Sequence, residues 1–172
     1  TSNTCILPPL VQKEYSETKE GYINRRKNDF NTNIKNKYVI YNGKPMYLVY
    51  HDIEGDACFN KFAIGSEKYH TKADGIIGEY DILRVQRLEW IFSILNNLKH
   101  CENKCKALYR VPDKNYKDRF DLYCLTNNYK IVIPIKDTEG EYLVITAFYI
   151  RKNNKHKKRK NAAFEKPAGV SG

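Results

Sequence analysis

The chain contains no stretch of about 18 apolar residues, which excludes a conventional membrane-spanning helix from its sequence pattern. No leader with a basic start, an apolar centre and a small-residue cleavage site is visible. A phosphate-binding G-x-x-x-x-G-K-[ST] loop, a G-x-G-x-x-G dinucleotide fingerprint, a G-x-S-x-G elbow and an H-E-x-x-H helix are all missing. No close pair of carboxylates marks a strand end in the manner of a magnesium nuclease. These absences argue against ATP, cofactor and two-metal chemistry, so no cofactor and no metal are expected. The five cysteines are odd in number and scattered, with no framework spacing, which favours reduced thiols in a cytoplasm-like compartment. His100, Cys101 and Cys105 lack the second ligand pair that would make a zinc site.

A net charge of +10 suggests a polyanionic partner, but its distribution matters. Residues 151–160 (RKNNKHKKRK) hold seven Lys or Arg and no acid, so residues 1–150 carry only about +3. The run reads as a solvated arm that adds sequence-independent phosphate affinity, and a nuclear address is the weaker reading of it. With 172 residues and 14 tyrosines, the chain is long and aromatic enough for one domain with a real core.

Residues 1–36 are polar and lysine-rich and read as a partly helical N-terminal extension. Asn42-Gly43 between β-branched and aromatic runs predicts a hairpin over 38–51, with Pro45 near the start of its second strand. A short apolar piece covers 58–64, and a polar loop from Gly65 to Gly78 carries His70. The spacing of Tyr80, Leu83, Leu88, Ile91, Ile94, Leu95 and Leu98 predicts one long helix over about 79–99. Strands follow at 106–111, 120–125, 129–135 and 142–150, with Thr126-Asn127-Asn128 turning one hairpin. The expected fold is α+β: an antiparallel sheet of about four to six strands with the long helix on one face, in a single domain over 37–150. Residues 151–172 form the basic tail.

Arg84 and Arg87 interrupt the apolar stripe of the predicted helix. A guanidinium is rarely buried unless an anion meets it, so either an internal carboxylate or a bound anion is expected there. Arg, His, Lys, Thr and Tyr are the residue types that remain for chemistry. They suit metal-free RNA cleavage, which needs a proton-transfer group near neutrality, cations on the phosphorane and groups that hold the nucleotide.

Arg84-Val-Gln-Arg87-Leu-Glu-Trp90-Ile91 resembles the R-x-x-R-L-x-W-I helix of phage-associated nuclease domains. These belong to the barnase, EndoU, colicin and RelE-type (BECR) ribonuclease superfamily. Arg119-Phe-Asp-Leu-Tyr123, then Tyr129-Lys130-Ile-Val-Ile-Pro, then Tyr142 through Thr146-Ala147-Phe148-Tyr149-Ile150 follow the same plan over roughly 58–150. The resemblance implies a toxin-like endoribonuclease that cuts tRNA or another cellular RNA in the cytoplasm of a producing or target cell, and it leaves room for an immunity or antitoxin partner. It also implies catalytic roles for His70, Arg84, Arg87 and Thr146. Arg119, Lys130 and Tyr149 are candidate substrate-binding residues. The residues leave two other readings open: a non-catalytic nucleic-acid-binding module, and an interaction or immunity-type protein whose arginines pair internally.

Overall fold

Thr18 ends the extended N-terminal segment by capping a helix, its hydroxyl accepting from the Gly21 N–H at 3.0 Å. The computed structural model describes residues 7–48, 57–64, 80–98 and 108–150. Within them, helix α1 (Lys19–Asn33) buries Tyr22, Ile23, Arg26 and Phe30 along one side. Phe30 packs edge-on to Phe59, 5.8 Å between ring centroids, and tilts against Phe62 at 6.3 Å. Both phenylalanines belong to α2 (Ala57–Ala63), the apolar piece after the hairpin. Each fully buried ring of this kind contributes roughly 1.5–3 kcal/mol. Residues 7–36 therefore supply part of the core itself.

The Asn42-Gly43 turn forms as its sequence demands. Both residues adopt positive φ, 50° and 76°, the requirement of a type I′ hairpin. It joins β1 (Tyr38–Tyr41) to β2 (Lys44–Tyr47), with Pro45 opposite Ile40. Strands β3 (Leu108–Pro112), β4 (Arg119–Cys124) and β5 (Tyr129–Pro134) continue as an antiparallel meander.

The single helix expected over 79–99 is two short ones, α3 (Ile82–Val85) and α4 (Trp90–Asn96). A continuous helix would need the carbonyls of Leu83, Val85 and Gln86 for the amides four residues on. All three are taken by other donors. The Arg87 guanidinium bonds Leu83 O at 2.7 Å, Arg26 Nε bonds Val85 O at 3.1 Å, and the Val11 amide bonds Gln86 O at 3.2 Å. The Arg87 and Trp90 amides fall back on residues three behind, Arg84 O and Arg87 O, both at 3.0 Å. The chain tightens into turns through residues 86–89 while Leu88, Ile91, Ile94, Leu95 and Leu98 stay buried, as their spacing predicts.

The expected single sheet is also divided. Among the described residues the order β1-β2-β6 makes a three-stranded sheet, and β3-β4-β5-β7 makes a four-stranded one. The apolar run from Tyr142 onward supplies one strand to each, β6 (Tyr142–Leu143) parallel to β2 and β7 (Thr146–Tyr149) antiparallel to β5. Between them, the Val144 amide bonds Tyr47 O at 2.8 Å and the next amide, Ile145, bonds Val132 O at 2.9 Å. Successive amides point to opposite edges of an extended chain, so this segment joins the two sheets along one seam. The architecture is α+β. No helix among the described residues is long and apolar enough to cross a membrane. The 151–160 basic run lies outside them.

Arg26 is fully buried and meets both Glu89 oxygens, Asp29 at 2.9 Å and the Val85 carbonyl. Arg26→Ala would leave Glu89 and a bent backbone without their donor, at a cost of about 3 kcal/mol or more. Arg26→Lys should recover only a small part, because a lysine cannot span the forked contacts. Urea unfolding of the two variants measures this; a loss below about 1 kcal/mol for Arg26→Ala would show that the clamp is dispensable.

Candidate functional site

The two arginines of the interrupted helix flank β7, an edge strand of the larger sheet. The Arg84 guanidinium lies 4.6 Å from the Phe148 ring centroid, and that of Arg87 lies 4.2 Å from Tyr149. Consecutive side chains of a strand point to opposite faces. Phe148 and Ile150 accordingly pack in a small cluster with Tyr123, whereas Ala147 and Tyr149 belong to the main core. α3 and the turn that follows it thus straddle the sheet edge, with one arginine over each face.

Arg84 is 8% exposed. It donates to Ile64 O at 3.3 Å, and its Nε lies 3.7 Å from Asp81 Oδ2, the carboxylate that also caps α3 by accepting from the Leu83 amide. Its charge is partly matched inside the fold. Arg87 is 7% exposed and held between Tyr149 and Trp90, the latter 5.1 Å away. Its hydrogen bonds go to neutral oxygens, Leu83 O and, at 3.3 Å, Gln86 Oε1. Among the described residues no carboxylate stands within 4.0 Å of it, and its Nε has no hydrogen-bond partner. Burial pulls the guanidinium below its ordinary pKa, opposed by the fields of Tyr149, Tyr129 and Asp81. Tyr129 sits behind the pair, its phenol pushed up by burial against the pull of Arg84 and Arg87.

The remaining candidates divide in the same way. Thr146 is two residues before Phe148 and shares its face, so it stands on Arg84's side of the strand and not on Arg87's. Lys130, opposite Phe148, is buried with its Nζ 3.1 Å from Asp121 Oδ2. Burial and the neighbouring Asp113 carboxyl push Asp121 upward, while Lys130 pulls it down. Arg119 lies 4.1 Å from the Tyr116 ring, and its Nε is 3.5 Å from Asp118. Internal pairing therefore describes Lys130 and Arg119, but not Arg87. His70 lies outside the described residues, as do His51, His100 and His156. Among the described residues, no group of three or more His, Cys, Asp or Glu could hold a metal ion. Cys58 and Cys124 are buried free thiols.

Comparison with known proteins finds no matching family model, no similar curated protein and no similar solved structure.

Two charged residues of structural weight escaped the sequence reading. Arg26 sits in a polar lysine-rich stretch where nothing distinguishes it. Lys61 had a visible signal, a lone cation inside the apolar run 58–64. Its ammonium donates to Val144 O at 2.7 Å and Leu48 O at 3.4 Å, next to the seam between the sheets. Burial lowers its pKa from 10.5 to about 8. Since the folded pKa lies below the unfolded one, folding disfavours the charged amine. The penalty is complete below pH 8 and disappears as the pH rises toward 10.5. Urea midpoints of wild type relative to Lys61→Met should therefore climb between pH 7.5 and pH 10. A difference that stays flat or falls over that interval contradicts the desolvated lysine.

Proposed function

We propose that this chain is a metal-independent, toxin-like endoribonuclease of the BECR type that cuts tRNA or another cellular RNA. The observation that carries the reading is Arg87, a buried guanidinium held by two aromatic rings with no carboxylate in ion-pair reach among the described residues. A buried cation in that state calls for an anion, and guanidinium geometry suits phosphate as well as carboxylate. The antiparallel meander with a helical segment against its edge strand is the kind of scaffold this reading requires.

In the proposed reaction the 2′-hydroxyl loses its proton to His70 and its oxygen attacks the adjacent phosphorus. The phosphorus–O5′ bond then breaks, the departing 5′-oxygen takes a proton from water, and protonated His70 returns its proton to the hydroxide left behind. The products are a 2′,3′-cyclic phosphate and a free 5′-hydroxyl. Arg87 neutralises the phosphorane oxygens, with Arg84 adding field from the other side of β7. Tyr149 lies beside the sugar or base, and Thr146, on Arg84's face of β7, orients the adjoining part of the nucleotide through its hydroxyl.

The position of Thr146 on the opposite face of β7 from Arg87 favours a second reading, an RNA-binding module without catalysis. Incubation of the chain with tRNA in EDTA separates the two. Under the nuclease reading, fragments carry 2′,3′-cyclic ends, Arg87→Ala slows their formation by about 10²–10³-fold and His70→Ala by about 10²–10⁴-fold. Retained RNA binding with no fragments rejects catalysis, and cutting that stops only on chelation rejects the metal-free route.

A further inference from the structure

The small sheet turns one face to the core and the other to solvent. Val39, Tyr41, Met46 and Tyr142 point inward, with Tyr41 and Tyr142 in edge-to-face contact at 5.1 Å. Alternation and register place Tyr38, Ile40, Pro45, Tyr47 and Leu143 together on the opposite face. The solvent face of a sheet covered on one side only is ordinarily polar, and this one carries no polar position except the two tyrosine hydroxyls. Tyr38 is 55% exposed and Ile40 is 65% exposed. Their exposure is out of keeping with a role in packing alone.

Size and charge narrow the occupant. Five side chains fall well short of the roughly 20–30 residues per side that a stable protein interface buries. Tyr38 and Tyr47 stand directly opposite each other with ring centroids 5.3 Å apart, and Tyr38 is the exposed ring of the two, a surface that suits one flat ligand. Lys37 is exposed immediately before Tyr38, with Lys35 partly exposed at the same end of β1. Asp137, Glu139 and Glu141 border the β6 corner instead, and Asp137 is already held by Lys44 at 2.8 Å. A polyanion at this face would therefore meet Lys35 and Lys37, just before β1, and avoid the acidic β6 corner.

We infer that this face is a stacking platform for unpaired bases of single-stranded RNA, with Tyr38 as its exposed ring and Lys37 beside the phosphates. The inference deepens the RNA reading and rests on it for the class of ligand, but its residues are separate from Arg87. Aromatic–base stacking is sequence-tolerant and amounts to a substantial share of single-strand affinity. The platform would hold a loop or unpaired end while the backbone continues elsewhere on the protein.

The test uses the full chain and a short 2′-O-methyl RNA oligonucleotide, which cannot be cut by 2′-hydroxyl attack. Fluorescence anisotropy at fixed salt should show Tyr38→Ala binding about 5- to 150-fold more weakly, with Tyr38→Phe close to wild type. Circular dichroism checks that both variants are folded. Equal affinity for wild type and Tyr38→Ala would overturn the platform. So would equal weakening in both variants, or sedimentation showing self-association that Tyr38→Ala abolishes, which would make the face a protein contact. Cleavage is scored separately, so a chain that binds through Tyr38 yet leaves tRNA intact loses the nuclease reading and keeps the platform.

Discussion

Arg26 is the residue on which the geometry of the candidate site depends. One fully buried guanidinium bridges α1, the Glu89 carboxylate and the Val85 carbonyl, and thereby holds the chain in its bent path between α3 and α4. A straight helix would reclaim Val85 O for the Glu89 amide and leave Arg26 with one partner fewer. Burying an arginine is costly unless its donors are met, and here carboxylates and a backbone oxygen meet them. The bend in turn orients Arg84 and Arg87 across the edge of β7. A charge near the start of the chain thus fixes the placement of two others some sixty residues later.

The second constraint is the seam from Tyr142 to Tyr149. Two sheets share this single run of chain, so the position of β7 beside the arginines is coupled to the β1–β2 hairpin through hydrogen bonds at Tyr47 and Val132. Lys61 sits at the junction, donating to the carbonyls of Leu48, just after β2, and of Val144 in the seam itself. The aromatic outer face and the Arg87 slot are therefore parts of one hydrogen-bonded framework.

Local patterns were legible, and competition between distant partners was not. Asn42-Gly43 specified its turn because only residues tolerant of positive φ fit it, and the spacing of Leu88, Ile91, Ile94 and Leu95 specified a buried face. The helix break was hidden because two of its three causes, Val11 and Arg26, lie far back in a stretch with weak periodicity. The division of the last strand was hidden because an uninterrupted apolar run is compatible with pairing on either edge. The conflict between Arg84, Arg87 and their apolar surroundings was visible from the start. Which of the two met a carboxylate depended on Asp81, whose capping role sets its position.

Trp90 gives this arrangement an optical consequence. It is the only tryptophan in the chain, and its indole N–H donates to Pro8 O at 2.7 Å while its ring touches Arg87 and Tyr129. Its ultraviolet emission therefore arises from one place, where the N-terminal segment, the bend and the buried cation meet. The protein carries its own fluorophore beside Arg87, and changes in that contact can be followed without attaching a dye.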